Sequence, residues 1–215
     1  MSFFDVKNVC VTLWGYPLSY LELVGTVFTL WSVWLIARRN VLTWPVGLVS
    51  VVLYAVLFYQ IQLYSDALEQ VYYFVTNIYG WWYWRKSATS RGEITDVSFS
   101  SRRGMLVWLV ITAVFSAFLG GCMSQIHVWL PGLFPEPASF PFLDALTTIM
   151  SFVATWLMIC KRIECWIYWI VVDVIGIGLY YVKDMRFIAL LYVVLLVLAT
   201  RGFFNWNRVR TAPRA

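Results

Sequence analysis

One acidic residue interrupts an otherwise apolar stretch in the second half of this sequence. Asp173 is the only charged residue in WIYWIVVDVIGIGLYY, residues 166–181. A carboxylate near the middle of a membrane helix costs about 2.5–3.5 kcal/mol, so it needs a reason to be there. Intervals of three and four residues place it on one helix face with Trp166, Trp169, Gly176 and Tyr180. A negative charge beside aromatic rings favours a flat, cationic ligand.

A second polar stripe lies in the first half of the sequence. Helical spacing puts six residues on one face: Asp66, Gln70, Tyr73, Asn77, Trp81 and Trp84. The amides of Gln70 and Asn77 can each donate and accept hydrogen bonds, which suits a carboxamide or sugar hydroxyls.

The composition indicates the class of fold that positions these residues. The chain of 215 residues is 61% hydrophobic and 13% charged, with a mean hydropathy of +0.74, whereas soluble domains are about 25% charged. Seven segments are long and apolar enough to cross a bilayer: 19–37, 44–61, 66–84, 104–123, 141–160, 165–182 and 186–205. We therefore predict an all-α integral membrane protein that forms a single domain over residues 1–215.

The first residues lack the features of a cleavable signal peptide. Phe3, Val6, Cys10 and Leu13 fall at helical spacing, which predicts a short interfacial helix. A frayed terminus is the alternative.

The basic residues predict the orientation. Thirteen of the sixteen Lys and Arg residues lie in the segments after the first, third and fifth apolar stretches and in the C-terminal tail. We expect the N-terminus outside and the C-terminus in the cytoplasm. The net charge of +5 is then a topology signal and does not indicate nucleic-acid binding.

The sequence matches itself without gaps at an offset of 122 residues. Over residues 22–84 there are 14 identities in 63 positions, anchored by five aromatic or glycine pairs: Trp34/Trp156, Trp44/Trp166, Tyr59/Tyr181, Gly80/Gly202 and Trp84/Trp206. This predicts a three-helix repeat at 18–86, a linker helix at 104–124 and a second three-helix repeat at 140–208. A single linker helix makes the repeats parallel, an arrangement found in transporters that bind substrate near the midplane.

Polar differences between the repeats indicate one asymmetric pocket. Asp173 stands where the first repeat has Val51, and Asn77 stands where the second has Ala199. We predict nine substrate-binding residues: Trp166, Trp169, Asp173, Tyr180, Gln70, Tyr73, Asn77, Trp81 and Trp44. The candidate hinges of an alternating-access motion are Gly176, Gly178, Pro45 and Gly47.

Several of these residues also have a purely structural interpretation, which the sequence leaves open. Gln70 and Asn77 could join helices, and Asp173 could pair with Lys183 or Arg186. An aromatic belt at the membrane surface could explain Trp34, Trp44, Trp84, Trp156 and Trp206. The hydroxyls of Thr147, Thr148, Ser151 and Thr155 could line the path or only pack. Glu22 and Asp144 could attract cations or mark the interface.

The sequence lacks the residues that other functional classes require. The four cysteines form no ligand pattern, His127 is alone in a Pro-rich loop, and the last apolar segment has no lysine for retinal. We therefore expect no enzyme, metal or cofactor. A sensor that binds without transporting remains an alternative.

The stretches LYSDALEQVYYFVTNIYGWWYW (63–84), DALTTIMSFVATWL (144–157) and CWIYWIVVDVIGIGLYY (165–181) resemble the PnuC family of bacterial nicotinamide riboside transporters. Cys165 departs from the asparagine that often precedes Trp166 in that family. The resemblance implies a SWEET-like plan of three, one and three helices, and a trimer. It also implies facilitated diffusion of nicotinamide riboside, which a cytoplasmic kinase traps by phosphorylation. Relatives that carry thiamine, riboflavin or deoxynucleosides leave the exact substrate open.

Overall fold

Seven helices make up most of the protein. The structure, a computed structural model, describes residues 5–13, 15–61, 64–130, 132, 139–182 and 186–211. The helices are α1 (Tyr20–Ala37), α2 (Thr43–Gln60), α3 (Tyr64–Arg85), α4 (Arg102–Trp129), α5 (Pro141–Ile159), α6 (Cys165–Val182) and α7 (Arg186–Thr211). Two strands, β1 (Val9–Leu13) and β2 (Tyr16–Ser19), precede them.

The predicted helical membrane protein is confirmed. Six of the described helices are long and apolar enough to cross a membrane, and α3 is the one that falls outside this set. Its polar side chains, which include Asp66 and Glu69, lower its hydropathy. Five of the seven helices begin and end within two residues of the predicted positions.

Two helices extend beyond their predicted ends. α4 continues to Trp129 and α7 to Thr211, six residues further than expected in each case. The apolar pattern marks only the part of a helix that meets hydrocarbon, whereas backbone hydrogen bonding continues into the interface. The prediction that His127 lies in a loop is therefore wrong, because it belongs to the last turn of α4.

The N-terminal segment forms an antiparallel hairpin and not the predicted interfacial helix; Phe3 lies outside the described residues. Val11 pairs with Leu18, and Gly15 has a positive φ of 83° in the turn between the strands. The β-branched residues of β1 favour a strand over a helix. Ser19 ends the hairpin and caps α1 by accepting a hydrogen bond from the Glu22 amide at 3.1 Å.

The helices pack as two groups. We call α1–α3 the first triplet and α5–α7 the second triplet. Within each, consecutive helices are neighbours, and α4 packs along α5. The triplets meet where α1 contacts α7 and where α3 contacts α5.

Several positions that are 122 residues apart share local geometry. Arg39 and Lys161, each just after the first helix of its triplet, have positive φ angles of 61° and 59°. The ring of Trp44 lies where a side chain at Gly80 would be, and the ring of Trp166 lies in the same way against Gly202.

Four buried tryptophans fill one end of the interface between the triplets. Trp44, Trp84, Trp206 and Trp166 contact one another in that order, with ring centroids 5.2, 6.0 and 5.6 Å apart. Each is at most 3% exposed. We call these four residues the tryptophan cluster and this end of the protein the tryptophan end. The aromatic-belt interpretation is therefore wrong for Trp44, Trp84 and Trp206, whereas Trp34 and Trp156 are exposed.

Candidate functional site

Asp173 lies buried in the second triplet. The residue is 3% exposed, within α6. No lysine or arginine among the described residues lies within ion-pair distance of its carboxylate. The proposed structural partner Lys183 is outside the described residues. Such a carboxylate can accept hydrogen bonds from a ligand or balance its positive charge.

Tyr192 of α7 packs against Gly176, one helical turn from Asp173, and the sequence interpretation missed it. Its hydroxyl is close enough to Asp173 for the two to interact electrostatically. Its ring stacks on Tyr180, with centroids 5.3 Å apart, and fills the space beside Gly176. The signal in the sequence was the repeat itself, because Tyr192 is the equivalent of Gln70.

Tyr73 of α3 reaches the same region from the first triplet. Its hydroxyl forms a hydrogen bond with Ser151 of α5 and lies within electrostatic range of Tyr192 and Glu69. Its ring packs edge-on against Phe152, with centroids 6.0 Å apart. Tyr192 thus contacts Tyr180 directly and lies within electrostatic range of Tyr73 and Asp173.

The two amides of α3 bond to their own helix. Gln70 Nε2 donates to the Asp66 carbonyl at 3.4 Å, and Asn77 Nδ2 donates to the Tyr73 carbonyl at 2.7 Å. The Oδ1 atom of Asn77 lies beside Gly47 of α2, where any larger residue would collide with it. Among the described residues, these bonds do not use all the donors and acceptors of the two amides.

The predicted tryptophans differ in environment. Trp44 and Trp166 are in the tryptophan cluster, and the indole Nε1 of each is buried without a hydrogen-bond partner among the described residues. Buried donors usually have partners, so these two N–H groups are exceptions. Trp169 is partly buried against the same core. Trp81 is also partly buried, and the Arg85 guanidinium lies 5.8 Å from its ring.

The candidate hinge residues also occupy contrasting positions. Gly47 and Gly176 are points of close helix contact, against Asn77 and Tyr192 respectively. Gly178 has open space where a Cβ would lie. Pro45 is in the first turn of α2, where proline is tolerated.

The hydroxyls of α5 bond mostly to their own helix. Thr147 donates to the Asp144 carbonyl at 2.9 Å, and Thr155 donates to the Ser151 carbonyl at 2.9 Å. Thr148 is different, because it donates to Glu69 of α3 at 3.0 Å. That bond links the two triplets beside Tyr73.

The hairpin brings a further polar group to the opposite end from the tryptophan cluster. The Tyr16 hydroxyl donates to Glu22 at 2.7 Å. Burial, together with this bond to the carboxylate, raises the pKa of the Tyr16 hydroxyl above its ordinary value. Tyr16 therefore remains a neutral donor at physiological pH.

Comparisons with known proteins identify the family of this chain. A family model described as nicotinamide mononucleotide transporter matches residues 19–208. The nicotinamide riboside transporter PnuC of Escherichia coli (strain K12) is 30% identical over 96% of this chain and 94% of its own length. The riboflavin/roseoflavin transporter RibM of Streptomyces davaonensis is 24% identical over 94% of this chain and 91% of its own. The crystal structure of the vitamin B3 transporter PnuC superimposes with a TM-score of 0.68, at 25% identity, covering 88% of this chain and 81% of that one.

The family match covers nearly the whole chain, and its residues are those of the multi-pass helical fold described above. The predicted PnuC resemblance is confirmed. The chain therefore belongs to the PnuC family of membrane transporters, the family described as nicotinamide mononucleotide transporters.

Proposed function

We propose that this protein imports nicotinamide riboside across a bacterial inner membrane by facilitated diffusion. The observation that carries the proposal is the buried carboxylate of Asp173, which has no ion-pair partner among the described residues and lies beside aromatic rings. Nicotinamide riboside carries a cationic pyridinium ring, a carboxamide and a ribose. A buried negative charge beside tyrosine and tryptophan rings complements such a cation.

The other residues have distinct roles in this proposal. Asp173 balances the charge of the pyridinium ring, which packs against Trp169 or Tyr180. Gln70 and Asn77 bind the carboxamide or the ribose hydroxyls. The unpaired indole N–H groups of Trp44 and Trp166 are further donors for those hydroxyls.

The transport motion in this proposal is a rocking of the two triplets as parallel repeats joined by α4, as in SWEET-like proteins. The shared geometry of Arg39 and Lys161 and of the Trp44/Gly80 and Trp166/Gly202 pairs supports a duplication. Rocking would expose the site to each side in turn. Among the described helices of the second triplet, Asp173 is the one charged residue that is buried, which favours downhill transport over ion coupling.

The cellular setting follows from the same family. We propose that the N-terminus is outside, that the C-terminus is cytoplasmic, and that three copies assemble. A cytoplasmic kinase that phosphorylates the riboside would keep it inside and maintain the inward gradient.

Riboflavin is the second candidate substrate, because RibM is a relative over most of the chain. Riboflavin is uncharged at neutral pH, so it gives Asp173 no charge to balance. Thiamine, which is an aromatic cation, fits Asp173 better. A non-transporting sensor would bind one of these compounds without moving it.

The test is tryptophan-fluorescence titration of the purified protein with nicotinamide riboside, thiamine and riboflavin, followed by uptake into proteoliposomes. We expect saturable quenching by nicotinamide riboside and downhill uptake that a pH gradient alone does not drive. Quenching by thiamine or riboflavin alone would assign a different substrate. Binding without uptake would identify a sensor.

A further inference from the structure

Residues 87–100, which connect α3 to α4, cross the tryptophan end and bind both triplets; we call this segment the strap. On the first triplet, Ile94 N donates to the Arg39 carbonyl at 2.9 Å, and Val41 N donates to the Gly92 carbonyl at 2.8 Å. On the second, Ile163 N donates to the Ser98 carbonyl at 3.0 Å. The strap therefore spans the boundary between the two triplets.

Apolar side chains fix the strap to the core. Ile94 is fully buried and Val97 is 4% exposed, and both belong to the same cluster as the four tryptophans. Movement of the strap thus requires movement of the core beneath it.

The two attachments of the strap differ in chemistry. At the first triplet, Arg39 Nη1 donates to the Ile94 carbonyl at 2.8 Å. At the second, Lys161 Nζ forms an ion pair with Asp96 at 2.7 Å and also donates to Ser87. The Lys161 side chain is 6% exposed, whereas that of Asp96 is 56% exposed. Among the described residues only the second attachment contains an ion pair, and its Asp96 carboxylate is open to water and ions. Two further bonds support this attachment: Arg162 Nη1 donates to Ser98 Oγ at 2.6 Å, and Ser100 N donates to the Glu164 carboxylate at 3.1 Å.

The triplets also differ in how firmly their first two helices are joined. In α1 and α2, hydroxyl pairs connect Thr26 to Tyr54 at 2.8 Å, Thr29 to Ser50 at 2.5 Å and Ser32 to Thr43 at 3.0 Å. The equivalent pairs in α5 and α6 are Thr148/Gly176, Ser151/Val172 and Ala154/Cys165, each of which lacks at least one hydroxyl. The helix pair that carries Asp173 is thus the less firmly joined one.

From these contrasts we propose that the strap holds the tryptophan end closed and that this end opens by release of the strap from Lys161, while its attachment at Arg39 persists. The opening step rests on the proposed transport function, but the closure itself can be measured without any substrate. Loss of the Asp96 partner would leave the Lys161 charge buried and unpaired, which drives it toward water.

Cys165 reports on this opening. It is fully buried at the start of α6, beside Trp166 in the same core cluster. A protein in which Cys10, Cys122 and Cys160 are alanine would carry one thiol, and its reaction rate with N-ethylmaleimide would measure exposure of the tryptophan end. We expect Asp96→Asn to raise that rate about fivefold, as loss of one partly exposed ion pair permits.

Glu93→Gln is the matched control at the first attachment, because Glu93 is an exposed acid of the same strap that acts electrostatically on Arg39 from beyond ion-pair distance. It should label like the parent protein. Equal rates for the parent and Asp96→Asn, with equal melting temperatures, would overturn the proposal. Equal acceleration by Glu93→Gln would overturn it too, since the effect would then not come from Lys161.

Two cross-links test which attachment releases. Asn40 and Glu93 form a backbone bridge on the first triplet, and Ser98 and Arg162 form one on the second, so each pair is close enough for an engineered disulfide. In a cysteine-free background, the Ser98→Cys/Arg162→Cys disulfide should stop uptake, and a reductant should restore it. The Asn40→Cys/Glu93→Cys disulfide should leave uptake unchanged.

The outcomes separate this proposal from the proposed function. If the reduced variants do not transport nicotinamide riboside, the proposed function is wrong, while the Cys165 labelling still decides the closure. If uptake survives the disulfide at Ser98, or is blocked by the disulfide at Asn40, the proposed site of release is wrong.

Discussion

The indole Nε1 of Trp206, near the end of α7, donates a hydrogen bond at 3.0 Å to the carbonyl of Ile36, in the last turn of α1. The last carbonyls of a helix lack a regular helical partner, and the Ile36 carbonyl accepts hydrogen bonds both from the Arg39 amide, at 2.8 Å, and from Trp206 of the other triplet. Trp84 does the same for the Ile159 carbonyl of α5 at 3.0 Å. Each triplet therefore caps a helix of its partner, and these bonds hold the two together at the tryptophan end.

Replacing Trp206 tests this cap against a matched position. Trp206→Phe removes the donor that joins the Ile36 carbonyl to the other triplet. Because the Arg39 amide still donates to that carbonyl at 2.8 Å, the change should cost about 0.5–1.5 kcal/mol beyond the loss of ring volume. Trp166→Phe loses the same ring volume at a position with an unpaired Nε1 and should cost less. Thermal unfolding in detergent should show the lower melting temperature for Trp206→Phe. Equal melting temperatures would contradict a stabilising cap.

Substituting alanine for each of two neighbouring glycines distinguishes an effect on helix packing from an effect on hinge motion. A Cβ at Gly176 collides with the Tyr192 ring, so Gly176→Ala should cost about 1–3 kcal/mol and weaken ligand binding by moving Tyr192. Gly178→Ala meets open space and should be as stable as the parent. Melting temperature and fluorescence titration measure both effects. Slow uptake by a stable Gly178→Ala protein would instead support its role as a hinge.

The charge of Asp173 is tested with a pair of ligands. Asp173→Asn keeps the size of the side chain but removes the charge that would balance the pyridinium ring. We expect affinity for nicotinamide riboside to fall by about 10- to 150-fold, equivalent to a charged hydrogen bond of about 1.5–3 kcal/mol. Dihydronicotinamide riboside, which is uncharged, should lose much less. An equal loss for both ligands in fluorescence titrations would show that Asp173 does not act through its charge.

The hydroxyl pairs between α1 and α2 predict a stability difference. Ser50 donates to the Gly25 carbonyl in the neighbouring helix at 3.1 Å, so Ser50→Ala should cost about 0.6–2 kcal/mol. Ser124→Ala is the control, since Ser124 donates to the Gly121 carbonyl of its own helix at 2.8 Å. It should stay within about 0.5 kcal/mol of the parent. If both variants unfold at the parental temperature, the pairs do not join α1 to α2.

Sequence interpretation was accurate for the helices because the bilayer imposes their length and apolar character. It was less accurate before α1 and at the ends of α4 and α7, because the bilayer imposes neither length nor apolar character on segments outside the hydrocarbon. The hairpin before α1 depends on β1 and β2 finding each other, and the last turns of α4 and α7 leave the apolar region.

The site was only partly accessible from sequence. Asp173 stood out because a charge in an apolar helix is costly, and its burial agrees with that. Tyr192 did not stand out, because a tyrosine in a helix rich in valine and leucine resembles any other apolar residue. Only the structure shows that Tyr192 stacks on Tyr180 and lies within electrostatic range of Asp173 and Tyr73.

By itself the sequence determined the membrane location, the seven helices and the family, since composition, segment length and motifs are local properties of the chain. Only the tertiary structure decided which tryptophans are exposed on the outside of the helices and which meet in the core. Trp34 and Trp84 both stand near helix ends, yet Trp34 is 40% exposed and Trp84 is fully buried. An indole suits a membrane surface and a helix interface equally well. Whether a given tryptophan is exposed or buried therefore depends on the residues that the other triplet places against it.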